Sequence, residues 1–214
     1  MPQIAPSITA YSPDEYRDQM ETAAKFAHRV HIDLMDDEFT KKPNISAKDA
    51  WWPVGTKADF HLMYKQPGRA VELILEHKPN MIIVHAESSG RFIELADRLH
   101  QLSVLVGVAL LPQTSVETIA PALEHIDHVL VFSGDLGSFG GHANLRLLSK
   151  IEELRRHKPD LEIGWDGGVN DQNISKLVFG GVDVLDVGGY IQDAADPQKA
   201  YERLARIAEE TGTT

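Results

Sequence analysis

Short apolar runs alternate with longer amphipathic segments from one end of the chain to the other. The short runs are mostly aliphatic or β-branched and have no polar face, which is typical of strands that are buried on both sides of a sheet. We therefore predict eight strands, over residues 3–7, 29–33, 57–62, 81–85, 105–110, 128–133, 162–166 and 184–187.

Helical segments follow most of these strands. Ser12-Pro13-Asp14-Glu15 has the pattern of a capping box with proline at the first helical position, and Thr114-Ser115-Val116-Glu117 has the pattern of a second. The second box predicts a helix that ends near residue 125. Residues 46–51 leave room for only a short helix. Further helices are predicted over residues 91–102, 144–158, 170–179 and 196–210.

Strict alternation of strands and helices predicts parallel strands that are joined by right-handed crossovers. Eight such units favour an α/β fold that closes into a single (β/α)8 barrel over residues 1–214, a length that this fold tolerates. A doubly wound open sheet is the alternative, and alternation alone does not separate the two. No linker or tandem repeat divides the chain.

Composition excludes several classes of function. The formal net charge of −11 argues against nucleic acid as a partner, because duplex binding needs clustered Lys and Arg. The chain contains no cysteine, which excludes disulfides, thiolate metal sites and a cysteine nucleophile. Neither a signal peptide nor a long apolar span is visible, so we expect a cytoplasmic protein that does not enter a membrane.

Reactive side chains collect at the predicted strand ends. In either architecture the active site lies at the carboxyl ends of the strands. A carboxylate or imidazole without a partner is costly to bury there, and five strands that end in polar, reactive side chains are hard to attribute to chance. The residues are Ser7, His31, Asp33, His61, His85, Glu87 and Asp166.

Four of these side chains form a candidate metal site. His31 and Asp33 are two positions apart, so both point to the same face of their strand. His61 lies on the adjacent strand, and Asp166 comes from a strand across the barrel mouth. Two imidazoles and two carboxylates suit one divalent ion of zinc, iron, manganese or cobalt. A charge-balanced polar plug without metal is the alternative.

Glycines after the last three strands predict a phosphate site. Backbone N–H groups can approach an anion where side chains are absent, and barrels often bind phosphate with the loops after strands seven and eight. The candidate loops are Gly137-Ser138-Phe139-Gly140-Gly141, Gly167-Gly168 and Gly188-Gly189.

With these residues in view, the chain resembles the ribulose-phosphate 3-epimerase family over nearly its whole length. The order of the shared stretches and their placement at strand ends make the match specific to the family. The stretches are Pro6-Ser7-Ile8, His31-Ile32-Asp33-Leu34-Met35-Asp36, Asp59-Phe60-His61-Leu62-Met63, Val84-His85-Ala86-Glu87, Gly107-Val108-Ala109-Leu110, Phe139-Gly140-Gly141 and Asp166-Gly167-Gly168-Val169.

The resemblance implies a (β/α)8 barrel with one divalent metal ion and a sugar-phosphate substrate. Metal ligands would be His31, Asp33, His61 and Asp166, and the two aspartates would also form the acid/base pair. Homo-oligomers are common in the family, so we expect one here. The implied substrate contacts are Ser7, Met35 and Met63, to which we add His85, and the phosphate loops supply Gly140, Gly141, Gly167, Gly168, Gly188 and Gly189.

The chain departs from the family pattern mainly in the loops that would hold the substrate. The metal set is intact, whereas the identity of the sugar is open. Two aspartates on opposite faces of the substrate are what inversion beside a carbonyl requires. The altered positions are Asp37 and Glu38 after strand two, Ser138 and His142 after strand six, Trp165 before the catalytic aspartate, and Gly189, where the family has serine.

Two other functions stay open at this point. A phosphosugar lyase would need a lysine inside the barrel or the decarboxylase motif Asp-x-Lys-x-x-Asp. The motif is absent, and Lys57 begins strand three, at the end of the barrel opposite the predicted site. A sugar-phosphate-binding protein that has lost turnover is the second alternative. His85 could also orient a metal ligand while Glu87 orients His85.

Overall fold

The computed structural model describes residues 1–134, 136–137 and 141–213. Eight parallel strands pair in chain order, and the last strand pairs with the first, so the sheet closes into a barrel. The (β/α)8 prediction is therefore confirmed, and the open sheet is excluded. The strands are β1 Gln3–Ile8, β2 Arg29–Met35, β3 Lys57–Met63, β4 Met81–His85, β5 Leu105–Leu110, β6 His128–Phe132, β7 Glu162–Asp166 and β8 Val184–Val187.

Helices pack around the outside of this barrel. The first begins as the sequence predicts: Ser12 Oγ accepts from the Glu15 backbone N–H at 3.2 Å, and Pro13 is the first helical residue. The helices are α1 Pro13–Ala23, α2 Gly68–Leu75, α3 Phe92–Gln101, α4 Leu148–His157, α5 Ile174–Phe179, α6 Gly189–Gln192 and α7 Pro197–Gly212.

The helix predicted from the second capping box is wrong. Two short 3-10 segments, Val116–Thr118 and Ala120–His125, take its place. The Thr114 hydroxyl donates to the Glu87 carboxylate instead of capping a helix. Pro121 lies inside the second segment, where it has no N–H for a helical hydrogen bond.

Other helix bounds differ from the prediction by a turn or more. A 3-10 turn at Leu145–Leu147 precedes α4, and α5 begins only at Ile174. Residues 46–51 form a turn rather than a helix, while α2 was not predicted at all. Among the described residues, no helix combines the length and the apolar character that crossing a bilayer requires.

The lower half of the barrel is closed by a buried ionic network at the amino ends of the strands. The Arg29 guanidinium contacts Asp59 at 2.5 Å and Glu162 at 2.7 Å, and His128 Nδ1 lies 2.8 Å from Glu162. Burial by itself would raise the pKa of Glu162, but hydrogen bonds from Arg29 and His128 hold it below its usual range. This network forms the floor of the barrel and leaves the opposite end for chemistry.

Candidate active site

A cavity of about 330 Å³ opens at the carboxyl ends of the strands. The inward-facing positions of the strands supply its base, and the loops that follow them supply its walls. Most of the predicted site residues that the structure describes border this cavity: Ser7, Asp33, Met35, Met63, Gly141, Asp166, Gly167, Gly168, Gly188 and Gly189. Gly140 lies outside the described residues, as does Ser138.

The four predicted metal ligands come together beneath the cavity. Each can offer one ligand atom such that all four atoms lie within 4.8 Å of one another. Strand register produces this arrangement, because Asp33 on β2 stands opposite His61 on β3. The contacts run from 2.9 Å between His61 Nδ1 and Asp33 Oδ1, through 3.2 Å between His31 Nε2 and Asp33 Oδ1, to 3.7 Å between His61 Nδ1 and Asp166 Oδ2.

Charge in this cluster is unevenly shared. Burial favours the neutral form of His31, but the carboxylates of Asp186 and Asp33 raise its pKa to about 10. Burial lowers the pKa of His61 to about 3. The carboxylates thus hold a cation between them, and two nitrogen and two oxygen donors at this spacing could hold a divalent metal ion.

The two aspartates differ in their surroundings. Burial would raise the pKa of Asp33, but His31 and His61 hold it well below its usual range. Burial and the neighbouring Asp33 charge hold the pKa of Asp166 well above its usual range. Two carboxyl groups whose pKa values are driven apart are suited to acid and base roles.

His85 lies behind His61 rather than on the cavity wall. Its Nε2 is 2.9 Å from His61 Nε2, and its Nδ1 is 3.2 Å from Glu87 Oε2. Glu87 in turn accepts from the Thr114 hydroxyl. This chain of contacts reaches from the candidate metal-binding cluster to the loop after β5. A substrate contact by His85 stays a prediction.

Several apolar side chains cover the site. Met35 and Met63 end adjacent strands in register and are buried at the cavity edge. Phe132 also borders the cavity, and its ring centroid lies 5.9 Å from that of His61. These side chains make the cavity edge beside the four predicted ligands apolar.

Three site residues escaped the sequence analysis. Thr9 Oγ1 donates to Asp33 Oδ2 at 2.6 Å, and Asn44 Nδ2 donates to the Asp33 carbonyl at 2.7 Å. Asp186 contacts His31 Nδ1 from β8 at 3.4 Å. Thr9 directly follows β1, two positions after Ser7, and Asp186 is an acid inside an otherwise apolar strand, so both carried a readable signal.

Comparison with known proteins agrees with this geometry. A model of the ribulose-phosphate 3 epimerase family matches residues 3–192. The ribulose-phosphate 3-epimerase of Helicobacter pylori is 31% identical over 96% of this chain and 97% of its own length. The ribulose-phosphate 3-epimerase of Bacillus subtilis is 30% identical over 95% of this chain and 98% of its own length. The chain belongs to the ribulose-phosphate 3-epimerase family.

Membership in the ribulose-phosphate 3-epimerase family makes the chain an enzyme, an epimerase that acts on sugar phosphates. A solved structure of 3-hexulose-6-phosphate synthase also superposes with a TM-score of 0.72, covering 96% of this chain and 99% of that one. At 17% identity this second likeness shows the fold alone. Lys57 begins β3, at the end of the barrel opposite the cavity as predicted, and its side chain is exposed.

The glycine loops of this epimerase-family chain border the cavity with positive φ angles, which glycine adopts readily and other residues rarely do. Gly167 and Gly168 have φ values of +114° and +72°, and Gly141 has +112°. A Cβ on Gly167 would collide with the backbone of Gly134, which lies in the loop after β6. The loops after β6 and β7 therefore pack against each other only because side chains are absent.

The positions that depart from the family pattern differ in how exposed their side chains are. Asp37 and Glu38 are exposed, as is His142. Trp165 is fully buried, and its Nε1 donates to the Gly167 carbonyl at 3.0 Å. The Trp165 side chain therefore fixes the loop that follows Asp166 from beneath.

Proposed function

We propose that this chain is a metal-dependent epimerase that inverts C3 of a ketose phosphate, converting ribulose 5-phosphate to xylulose 5-phosphate or acting on a related sugar phosphate. The observation that carries the proposal is the meeting of His31, Asp33, His61 and Asp166 beneath a cavity, in a chain of this family. Inversion beside a carbonyl needs two proton-transfer groups, and this site offers two aspartates.

The same four side chains would hold the metal ion. Their donor set accommodates zinc, iron, manganese or cobalt. Bound there, the ion would supply Lewis-acid stabilisation to the negative charge that develops on the substrate oxygens.

Asp33 and Asp166 would move the protons. They project from β2 and β7, so they reach a substrate in the cavity from different strands. In the metal-free protein the pKa values of Asp33 and Asp166 are shifted in opposite directions, which is the division that separate acid and base roles need. Thr9, through its 2.6 Å hydrogen bond, holds the Asp33 carboxylate in place while the proton moves.

The rest of the cavity would bind the substrate. Ser7 Oγ is buried with no hydrogen-bond partner among the described residues, so it is available to a substrate hydroxyl. Among the described residues that border the cavity, none is Lys or Arg. Backbone groups of the glycine loops after β6, β7 and β8 would therefore hold the phosphate. Phosphate binding far from C3 supplies energy that orients the reacting carbon.

Metal depletion tests this function. Protein that has been dialysed against a strong chelator should lose epimerisation of ribulose 5-phosphate, and adding zinc, iron(II), manganese or cobalt should restore it. The metal content would be measured in the same samples. Full activity in protein shown to contain less than a tenth of an equivalent of any metal would contradict the proposal.

A further inference from the structure

Asp186 is an acidic residue in the middle of the buried strand β8. It stands in register with Asp166 on one side and with Ala5 on the other, so it faces the barrel interior. Its side chain is 3% exposed and borders the cavity from below. The other three residues of β8 are Val184, Leu185 and Val187.

The two ring nitrogens of His31 face different groups. Nε2 lies 3.2 Å from Asp33 Oδ1 and 3.3 Å from His61 Nδ1, within the proposed metal site. Nδ1 lies 3.4 Å from Asp186 Oδ1. A nitrogen that binds a metal must offer its lone pair, so the proton of a metal-bound neutral His31 has to sit on Nδ1.

We propose that Asp186 is the positioning residue for His31: it accepts the Nδ1–H and fixes the ring so that Nε2 faces Asp33 and His61. Histidines that bind metal commonly donate their other N–H to a carboxylate, which sets both the tautomer and the ring orientation. The proposal rests on the metal-dependent function proposed above and adds to it a residue outside the four ligands.

The cost of burying Asp186 supports this role. Its Oδ2 has no hydrogen-bond partner among the described residues. A buried carboxylate with an unpaired oxygen is costly, and valine would fit an apolar strand. In the metal-free protein Asp186 also pairs with the His31 cation, so replacing it removes a favourable interaction together with this cost. The effect that identifies its role is therefore a loss of metal affinity, whereas a residue that served only the fold would lower stability and leave metal affinity unchanged.

Two substitutions separate orientation from charge. Asp186→Val removes the acceptor, whereas Asp186→Asn keeps an acceptor oxygen for Nδ1–H and removes the charge. Ser7→Ala is the matched control, because Ser7 is also buried beside the cavity and its Oγ makes no hydrogen bond among the described residues. Zinc affinity would be measured by competition with a chromogenic chelator, and the ligand set by the visible absorption of the cobalt(II) protein.

We expect Asp186→Val to weaken zinc binding roughly 10- to 100-fold, the usual effect of losing such a partner. Asp186→Asn should stay within about fivefold of the wild type, and Ser7→Ala within about twofold. The cobalt absorption bands should keep their positions in all variants, because the ligands are unchanged.

Other results would overturn the role of Asp186. Unchanged zinc affinity in Asp186→Val would show that His31 needs no partner at Nδ1. An asparagine variant as weak as the valine variant would show that charge alone matters. Shifted cobalt bands would make Asp186 a ligand instead. A wild-type protein that binds no divalent ion would overturn the metal-dependent function as well, which distinguishes the two failures.

Discussion

The Nε2 atoms of His61 and His85 lie 2.9 Å apart, so one ring must donate a hydrogen bond and the other must accept it. If His61 binds the metal through Nδ1, its proton is on Nε2, and His85 accepts there. The His85 proton then lies on Nδ1 and is donated to Glu87. One tautomer assignment thus satisfies every contact in the chain of side chains behind the site.

Removing the acceptor behind His61 should loosen the metal site. His85→Phe keeps a ring of similar shape but cannot accept from His61 Nε2, so zinc affinity should fall roughly 10- to 100-fold. His77→Phe is the matched control, because His77 is exposed and lies before the start of β4, at the opposite end of that strand from His85. Competition with a chelator would measure both variants. Zinc binding as tight in His85→Phe as in the wild type would rule out this role.

Substituting Asp166 should stop proton transfer without unfolding the barrel. Asp166→Asn keeps an oxygen for the metal but cannot take up or deliver a proton at that position. We expect kcat to fall about 10²- to 10⁴-fold at saturating metal. Asp160→Asn, at an exposed position before β7, should keep wild-type activity. Full activity of Asp166→Asn on the true substrate would show that the role given to Asp166 is wrong.

The ionic floor of the barrel should make stability depend on pH. The folded-state pKa of Glu162 lies below its ordinary value of 4.5, so its contribution is complete above that value and is lost as the pH falls below it. Glu162→Gln should lower the free energy of unfolding by about 1–2 kcal/mol at pH 7, since solvent screens its half-exposed carboxylate.

Urea denaturation of the wild type and Glu162→Gln at pH 7 and pH 3 would measure this difference. The gap between the two proteins should shrink at pH 3, where the unfolded chain binds the proton that the folded Glu162 still resists. Glu124→Gln, an exposed control, should leave stability nearly unchanged at both values. A gap that is equal at pH 3 and pH 7 would show that the carboxylate charge is not what stabilises the floor.

Gly189 should control affinity for the phosphate group. It borders the cavity at the start of α6, where the family has serine. Gly189→Asp should raise KM about tenfold or more through repulsion, whereas Gly189→Ser should lower KM about threefold by adding a donor. Gly68→Asp is the control, because Gly68 has open space for a side chain and does not border the cavity. Equal KM values in the wild type and the three variants would show that the phosphate group binds away from Gly189.

The barrel itself was predictable because its strands are short, apolar and evenly spaced. All eight predicted strands lie within two residues of the observed bounds. Parallel register then brings strand-end residues together without further information, which is why His31, Asp33, His61 and Asp166 could be grouped in advance. Their roles as ligands and proton carriers remain predictions.

The features that the sequence did not predict depend on contacts between residues that are distant along the chain. Thr114 has the pattern of a helix cap, yet its hydroxyl is used by Glu87, which is 27 positions away. Asp186 lies beside His31 only because β8 closes against β1, and that closure is a property of the whole barrel. Asn44 ties its loop to β2 through both ends of its amide, in a segment with no periodic pattern.

The most direct test of the proposed chemistry is proton NMR of ribulose 5-phosphate in D₂O with the enzyme, before and after chelation. We predict that deuterium enters at C3 as xylulose 5-phosphate appears, that chelation stops both, and that a divalent metal restores both. Absence of exchange at C3 with every metal, in a protein that is folded and metal-loaded, would contradict epimerisation of this substrate by Asp33 and Asp166.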